Sequence, residues 1–230
     1  MNELKVTPQK NAPSHEELTS SDFHSLWTAA QAILKHREFA DSARIIFDEA
    51  CRMTGATSGY VALLSPDGKE NEVLFLEAGG LPCSVDPSLP MPIRGLRAEA
   101  YTSHKAVFDN DFMHSQWVDY MPEGHVDLKN VMFSPLNIEG QTVGIMGLAN
   151  KNADFSERDS TLAMAFGEIA SIALRNSRTL DELDDSIKKL EEFNEILVGR
   201  EMRIIEMKKE VNVLCRELGK EPAYLEDWDR

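Results

Sequence analysis

Phe23, Leu26, Trp27, Ala30, Ile33 and Leu34 recur at spacings of three and four behind a Ser/Asp start, which predicts an amphipathic helix over residues 21–35. A second helix opens near Asp41, carries Ile45, Ile46, Ala50 and Met53 along one side, and stops at Gly55, a residue suited to the left-handed position after a helix. Helical spacing then gives way to short apolar runs bounded by turn residues. Residues 59–64 read as a strand ending in Ser65-Pro66-Asp67-Gly68, and residues 72–77 read as its antiparallel partner ending at Gly79-Gly80. Past a loop holding Pro82, Pro87, Pro90 and Pro92, the pattern predicts a short helix over 95–104, a brief strand over 106–109 and a second short helical stretch over 112–120. Residues 130–138 and 142–150, joined at Glu139-Gly140, form the strongest hairpin, and their nearly unbroken apolar character predicts strands buried on both faces.

The last third is helical throughout. Ser156 and Asp159 have the spacing of a capping box, and Leu162, Phe166, Ile169 and Ala173 supply a face to pack on the sheet. Leu183, Ile187, Leu190, Asn194 and Leu197 then alternate spacings of four and three, the seam of a coiled coil. Ile204, Met207, Val211, Leu214 and Leu218 keep the alternation in a shifted phase, with the break near Gly199-Arg200. A polar Asn194 on the seam is the kind of residue that sets register and favours a parallel homodimer. The expected organisation is an unstructured leader over 1–20, a domain over 21–175, a signalling coiled coil over 176–218 and a flexible tail over 219–230.

Composition narrows the function classes. Among 230 residues, 24 Lys+Arg stand against 39 Asp+Glu, a formal net charge of −15 with no basic stripe to attract a phosphate backbone, so a nucleic-acid partner is not expected. No apolar run approaches the roughly 18 residues of a membrane span, and the polar N-terminus lacks a signal-peptide core, so neither a membrane nor an extracellular setting is expected and a cytoplasmic one is. Cys51, Cys83 and Cys215 are far apart with no paired spacing, which indicates neither a disulfide framework nor a structural zinc site.

The order of two leading helices, hairpin, helix-bearing excursion, second hairpin and long exit helix resembles a GAF domain over about residues 41–173. The most specific stretch is 131–159, where the strand, the Glu139-Gly140 turn, Val143-Gly144, Asn150-Lys151 and Phe155…Asp159 fall in family order. The resemblance implies an α+β fold, a six-stranded antiparallel sheet with helices on one face and a ligand pocket on the other, in a sensing and dimerising module. Asn150, Lys151, Phe155 and Asp159 are similar to the signature of members that bind cyclic nucleotides, but Ser160 stands where the terminal Glu belongs. A structural role is open beside it, with Lys151 pairing Asp159 to lock the strand-to-helix junction.

Haem is the other ligand the resemblance implies. His125, Cys83 and, behind both, His114 are chemically capable of holding its iron. Phe108, Phe112, Trp117, Tyr120 and Phe133 are candidates to line a planar-ligand pocket, with Asn110, Asp111 and Ser134 as the polar groups aimed inward, and each is equally able to be core or turn structure. An enzyme of the free-methionine-sulfoxide-reductase type needs several converging cysteines, whereas Cys51 sits on a leading helix and Cys215 far along the coiled coil. Neither a kinase nor a cyclase or phosphodiesterase machinery is recognisable. The expectation is a non-catalytic sensor relaying its pocket state to a kinase or cyclase-type partner, or alternatively a dimerising scaffold with an empty pocket.

Overall fold

The structure, a computed structural model, describes residues 19–81, 85, 89–122 and 124–224. Most of the expected leader and half of the expected tail therefore fall outside the described residues, and so does the haem-ligand candidate Cys83.

Helix α1 (Ser20–Lys35) starts on a reciprocal box: Asp22 N–H donates to Thr19 Oγ1 at 3.3 Å, and Thr19 N–H to Asp22 Oδ2 at 2.8 Å. Helix α2 (Phe39–Thr54) ends where Gly55, at φ 78°, turns left-handed and donates to the Cys51 carbonyl. The antiparallel sheet comprises β1 (Ser58–Leu64), β2 (Asn71–Glu77), β3 (Val107–Asp109), β4 (Val131–Ile138) and β5 (Gln141–Ala149), in the order β2-β1-β5-β4-β3. Helix α3 (Leu96–Ser103) precedes β3.

Among the described residues the sheet has five strands, not the six expected. At the β2 edge Asn71 N–H donates to the Met91 carbonyl at 2.9 Å and Ile93 N–H to the Lys69 carbonyl at 3.1 Å. One bridge forms, between Glu70 and Pro92, but Pro90 and Pro92 have no N–H to give and the ladder stops there. The expected helix over 112–120 is also corrected, to two 3₁₀ turns, Phe112–His114 and Val118–Tyr120. Ser115 separates them in an extended conformation, its hydroxyl accepting the Trp117 N–H at 3.2 Å in place of a helical carbonyl.

Strand alternation sorts the side chains onto two faces. Val61, Met132, Leu136, Met146 and Leu148 join Ala29 of α1, Ile46 and Phe47 of α2, and Phe166 in a core beneath the helices. Ala62, Val131, Phe133, Ile145 and Ala149 turn the other way, into a smaller core with Leu96 and Ala100 of α3 and Phe112. Both faces of β4 and β5 are thus buried.

Helix α4 (Glu157–Glu217) is one unbroken helix, with no interruption at Gly199. Its residues up to Ser177 belong to a compact unit with the sheet, and a second compact unit begins at Arg178. Within that second unit the Asn212 amide donates to the Tyr224 carbonyl and accepts the Tyr224 N–H, at 2.8 and 2.9 Å. Among the described residues no helix is long and apolar enough to cross a membrane.

Candidate functional site

Tyr60 of β1, Gly147 of β5 and Phe133 of β4 stand in register across the sheet. A Cβ on Gly147 would lie 2.8 Å from Tyr60 Cε1 and 3.1 Å from Phe133 Cε1. The missing side chain is what lets the two rings approach over the middle strand, their centroids 6.2 Å apart. Beside them lies a cavity of about 70 Å³, lined by Ser58, Tyr60, Val131 and Phe133 from the sheet and by His125 and Leu128 from the segment leading into β4. Ligand pockets for drug-sized molecules run to roughly 300–1,000 Å³. This one suits a small guest.

Four buried side-chain polar atoms among the described residues have no hydrogen-bond partner: Ser58 Oγ, Tyr60 OH, Asn71 Nδ2 and Arg97 Nη1. Ser58 and Tyr60 line the cavity. Arg97 and Tyr101 are four apart on α3 and so share a helix face. Tyr101 OH donates to Asn71 Oδ1 at 2.6 Å. Burial pushes the Tyr60 hydroxyl pKa up, and the nearby Arg97 guanidinium opposes that shift. An orphaned buried group costs about 1–3 kcal/mol. Native structures place such groups sparingly, and two of these four, Ser58 Oγ and Tyr60 OH, belong to residues that line the cavity.

The structure separates the residues singled out from the sequence. Phe133 and His125 line the cavity, and Phe112 and Trp117 pack in the same core. Phe108 packs instead on the helix side of the sheet, and Tyr120 is exposed. Ser134, expected to aim inward, is turned to the opposite face by strand parity, where its hydroxyl donates to the Ala163 carbonyl of α4 at 2.8 Å. Asn110 is spent on the Phe155 backbone, donating to its carbonyl at 2.9 Å and accepting its N–H at 2.7 Å. Asp111 and His114 pair with each other in solvent at 2.6 Å, a bond that raises the His114 pKa. His125 Nδ1 donates to the Val126 carbonyl at 2.8 Å. Of the haem-ligand candidates among the described residues, His125 lines the cavity and His114 does not. Tyr60, Arg97, Tyr101 and Asn71 were not among the sequence candidates; the signal that would have found two of them is the i, i+4 Arg/Tyr pair interleaved with buried Leu96 and Ala100.

Asn150, Lys151, Phe155 and Asp159 bind one another and their surroundings. Lys151 Nζ meets Asp159 Oδ2 at 2.6 Å, and the same oxygen accepts Ser156 N–H and Oγ–H at 2.8 Å each. Asn150, left-handed at φ 57°, accepts Lys129 N–H on its side chain at 2.9 Å, while Phe155 is buried in the helix-side core. All four thus serve the junction between β5 and α4.

Cys51 lies in the helix-side core, away from the cavity, and burial pushes its thiol pKa up to about 12. At pH 8 roughly one such thiol in ten thousand is ionised. In a Cys83→Ser variant, iodoacetamide at pH 8 is therefore expected to alkylate Cys215 while Cys51 stays unlabelled over the same hours, as read by peptide mass spectrometry. Equal labelling of the two would show that Cys51 is a reactive thiol.

The GAF domain family matches residues 36–175, more than half of the chain. No curated protein matches the chain by sequence. Among solved structures, the GAF domain of an Acinetobacter phosphoenolpyruvate-protein phosphotransferase is 17% identical, with a TM-score of 0.58 over 70% of this chain and 97% of that one. A bacteriophytochrome from R. palustris is 13% identical, with a TM-score of 0.61 over 79% of this chain and 42% of that one. Free methionine-R-sulfoxide reductase from Neisseria meningitidis, in complex with its substrate, is 14% identical, with a TM-score of 0.57 over 72% and 97%. At such identities these structures establish a shared fold and leave the chemistry to the site. With the family match spanning well over half of its length, the chain belongs to the GAF domain family.

Proposed function

We propose that this chain is a non-catalytic sensory module, which takes a small molecule into the cavity beside Tyr60 and Phe133, dimerises in parallel through α4, and passes the state of the cavity to a kinase or cyclase-type partner. The observation that carries the reading is a mostly apolar cavity whose lining includes two hydroxyls, Ser58 Oγ and Tyr60 OH, buried without a hydrogen-bond partner. Such groups are stabilised when a guest supplies their missing partners, so a ligand has a differential free energy with which to shift the protein between states. The GAF match, together with the likeness to the GAF domain of a phosphoenolpyruvate-protein phosphotransferase and to a bacteriophytochrome, supports a regulatory role. Native mass spectrometry of the freshly purified full chain is expected to show a small-molecule adduct that is released on denaturation. A bare polypeptide whose melting temperature no metabolite raises would remove the sensor reading.

The scaffold reading is favoured by the second unit. Leu190, Phe193 and Ile196 are 68%, 59% and 69% exposed there, beside Leu183, Ile187 and Leu197 of the expected seam. Contiguous apolar surface of this kind marks an interaction site. An Ile187→Arg, Leu190→Arg double variant is expected to sediment as a monomer, where the parent sediments as a dimer at the same micromolar concentration. A monomeric parent would dismiss both the seam and the scaffold.

A further inference from the structure

Met164, on the part of α4 that belongs to the sheet's unit, is half-buried, and its thioether sulfur accepts the Ala106 N–H at 3.1 Å. Ala106 closes the turn between α3 and β3, so a side-chain sulfur holds this turn against α4. Most backbone amides donate to a carbonyl; this one has a thioether, a weak acceptor. The contact has no slack. The turn is tied two residues earlier, where the Asn137 amide donates to the His104 carbonyl at 3.1 Å. Three residues further along α4 a Cβ on Gly167 would lie 2.6 Å from the Pro135 carbonyl oxygen, so the helix rests on the backbone of β4 and cannot settle deeper. The Ser134 hydroxyl, 3.9 Å from the same sulfur, already donates to the Ala163 carbonyl at 2.8 Å. Other methionines set this one apart. Met132 and Met146 are fully buried in the core, out of reach of a dissolved oxidant, whereas Met202 and Met207 are 60% and 45% exposed in the second unit, where an added oxygen has water to meet. Met164 is open enough to be reached and confined enough for the product to matter.

We propose that Met164 is an oxidation site for hydrogen peroxide, and that its sulfoxide releases the α3–β3 turn from α4. A sulfur lone pair attacks one peroxide oxygen as the O–O bond breaks. An S–O bond forms, the second oxygen leaves as water with both protons, and two electrons pass from sulfur to peroxide. The new oxygen is larger than the lone pair it replaces and has no place within the 3.1 Å contact, so amide and sulfur must part. The change is reversible, because methionine sulfoxide reductases return the sulfoxide to the thioether at the expense of a thiol reductant. Since α4 continues without a break into the second unit, the event falls on the helix that leads out of the domain. None of this depends on a guest in the cavity.

The test treats the full chain with graded hydrogen peroxide and follows each methionine by peptide mass spectrometry, alongside amide hydrogen exchange across Ala106. Met164 is expected to gain oxygen after Met202 and Met207 and before Met132 and Met146. Exchange at Ala106 should quicken about fivefold or more as it does, which is the loss of one hydrogen bond. Repair with the two reductases that act on the two sulfoxide epimers should restore slow exchange. In Met164→Leu, exchange at Ala106 is expected to be fast from the start and to stay unchanged by peroxide, although Met202 and Met207 still oxidise. An unmodified Met164 once Met202 and Met207 are fully converted, or a Met164 sulfoxide with slow exchange at Ala106, would overturn the proposal. So would a Met164→Leu chain whose Ala106 exchange responds to peroxide as the parent's does. Should Met164→Leu not fold, the repair arm on the parent decides: quickened exchange that persists after the Met164 oxygen has been removed ascribes the change to another residue and sinks the proposal.

Discussion

Gly59→Ala is expected to destabilise the domain by about 3 kcal/mol or more, the upper end of what overpacking does. A Cβ at this position would lie 2.1 Å from the Gly147 carbonyl oxygen and 2.9 Å from Phe47 Cε2. The ring can swing aside. The carbonyl cannot, because it belongs to the backbone of β5, which pairs with β1 from Ser58↔Ala149 to Leu63↔Gly144 and with β4 on its other side. Relieving the clash means prising β1 from the centre of the sheet. Since a domain's whole stability is about 5–15 kcal/mol, a large fraction goes with one methyl group. The urea midpoint should fall steeply at an unchanged slope. Gly68→Ala is the control: at φ 73° it pays for a left-handed conformation, about 1 kcal/mol, but its Cβ meets nothing within 4 Å. Equal midpoints for the two variants would show that the close approach of β1 and β5 is not what holds Gly59.

The hydrophobic pattern carried most of the fold and little of the site, for separable reasons. Helices α1 and α2 and the β4–β5 hairpin were legible because their periodicities run long and end in recognisable punctuation: the Gly55 stop and the Glu139-Gly140 turn. The sixth strand was implied by family resemblance alone; beside β2 the described residues offer one bridge, Glu70 to Pro92, and Pro90 and Pro92 have no N–H with which to extend it. The stretch from Phe112 to Tyr120 had helical composition, and what broke it was one hydroxyl, Ser115, taking an amide from the backbone.

The cavity depended on parity and depth, which one sequence does not supply. Phe133 and Ser134 are neighbours of similar promise, yet one faces the cavity and the other the helices, and with both faces of β4 buried no polar face marks which is which. Aromatic residues drew attention to Phe108, Phe112 and Trp117, while the unsatisfied groups sit on Tyr60 and Arg97, which read as an ordinary strand tyrosine and an ordinary surface arginine. An unpaired atom is a fact about surroundings rather than about residue type. It becomes visible only when β1, β2 and α3 are brought together.

The Asn150–Asp159 signature poses the opposite question, of residues that look functional and are fully occupied. Asp159→Ala is expected to destabilise the protein by about 2–4 kcal/mol, with no ligand involved. Asp159 Oδ2 accepts from Lys151 Nζ, Ser156 N–H and Ser156 Oγ–H, so truncation removes the carboxylate half of the capping box at the start of α4 and leaves a largely buried ammonium without its counter-charge. Lys151→Met should cost less. It deletes the ammonium, leaves Asp159 bonded to Ser156, and keeps an aliphatic chain beside the Phe155 ring, which Lys151 Nζ approaches to 5.7 Å of its centroid. That ordering, alanine at 159 worse than methionine at 151, follows because an uncompensated charge is more costly than a missing pair. Urea denaturation of the two variants reads it directly, and a parallel melt of the parent with millimolar cyclic AMP or cyclic GMP is expected to show no gain in melting temperature. A parent stabilised by either nucleotide, together with an Asp159→Ala variant as stable as the parent but no longer responsive, would assign these residues to a ligand and leave the β5–α4 junction to be held by Asn130 and Asn110, whose amides clamp the backbone at Lys151, Ala153 and Phe155.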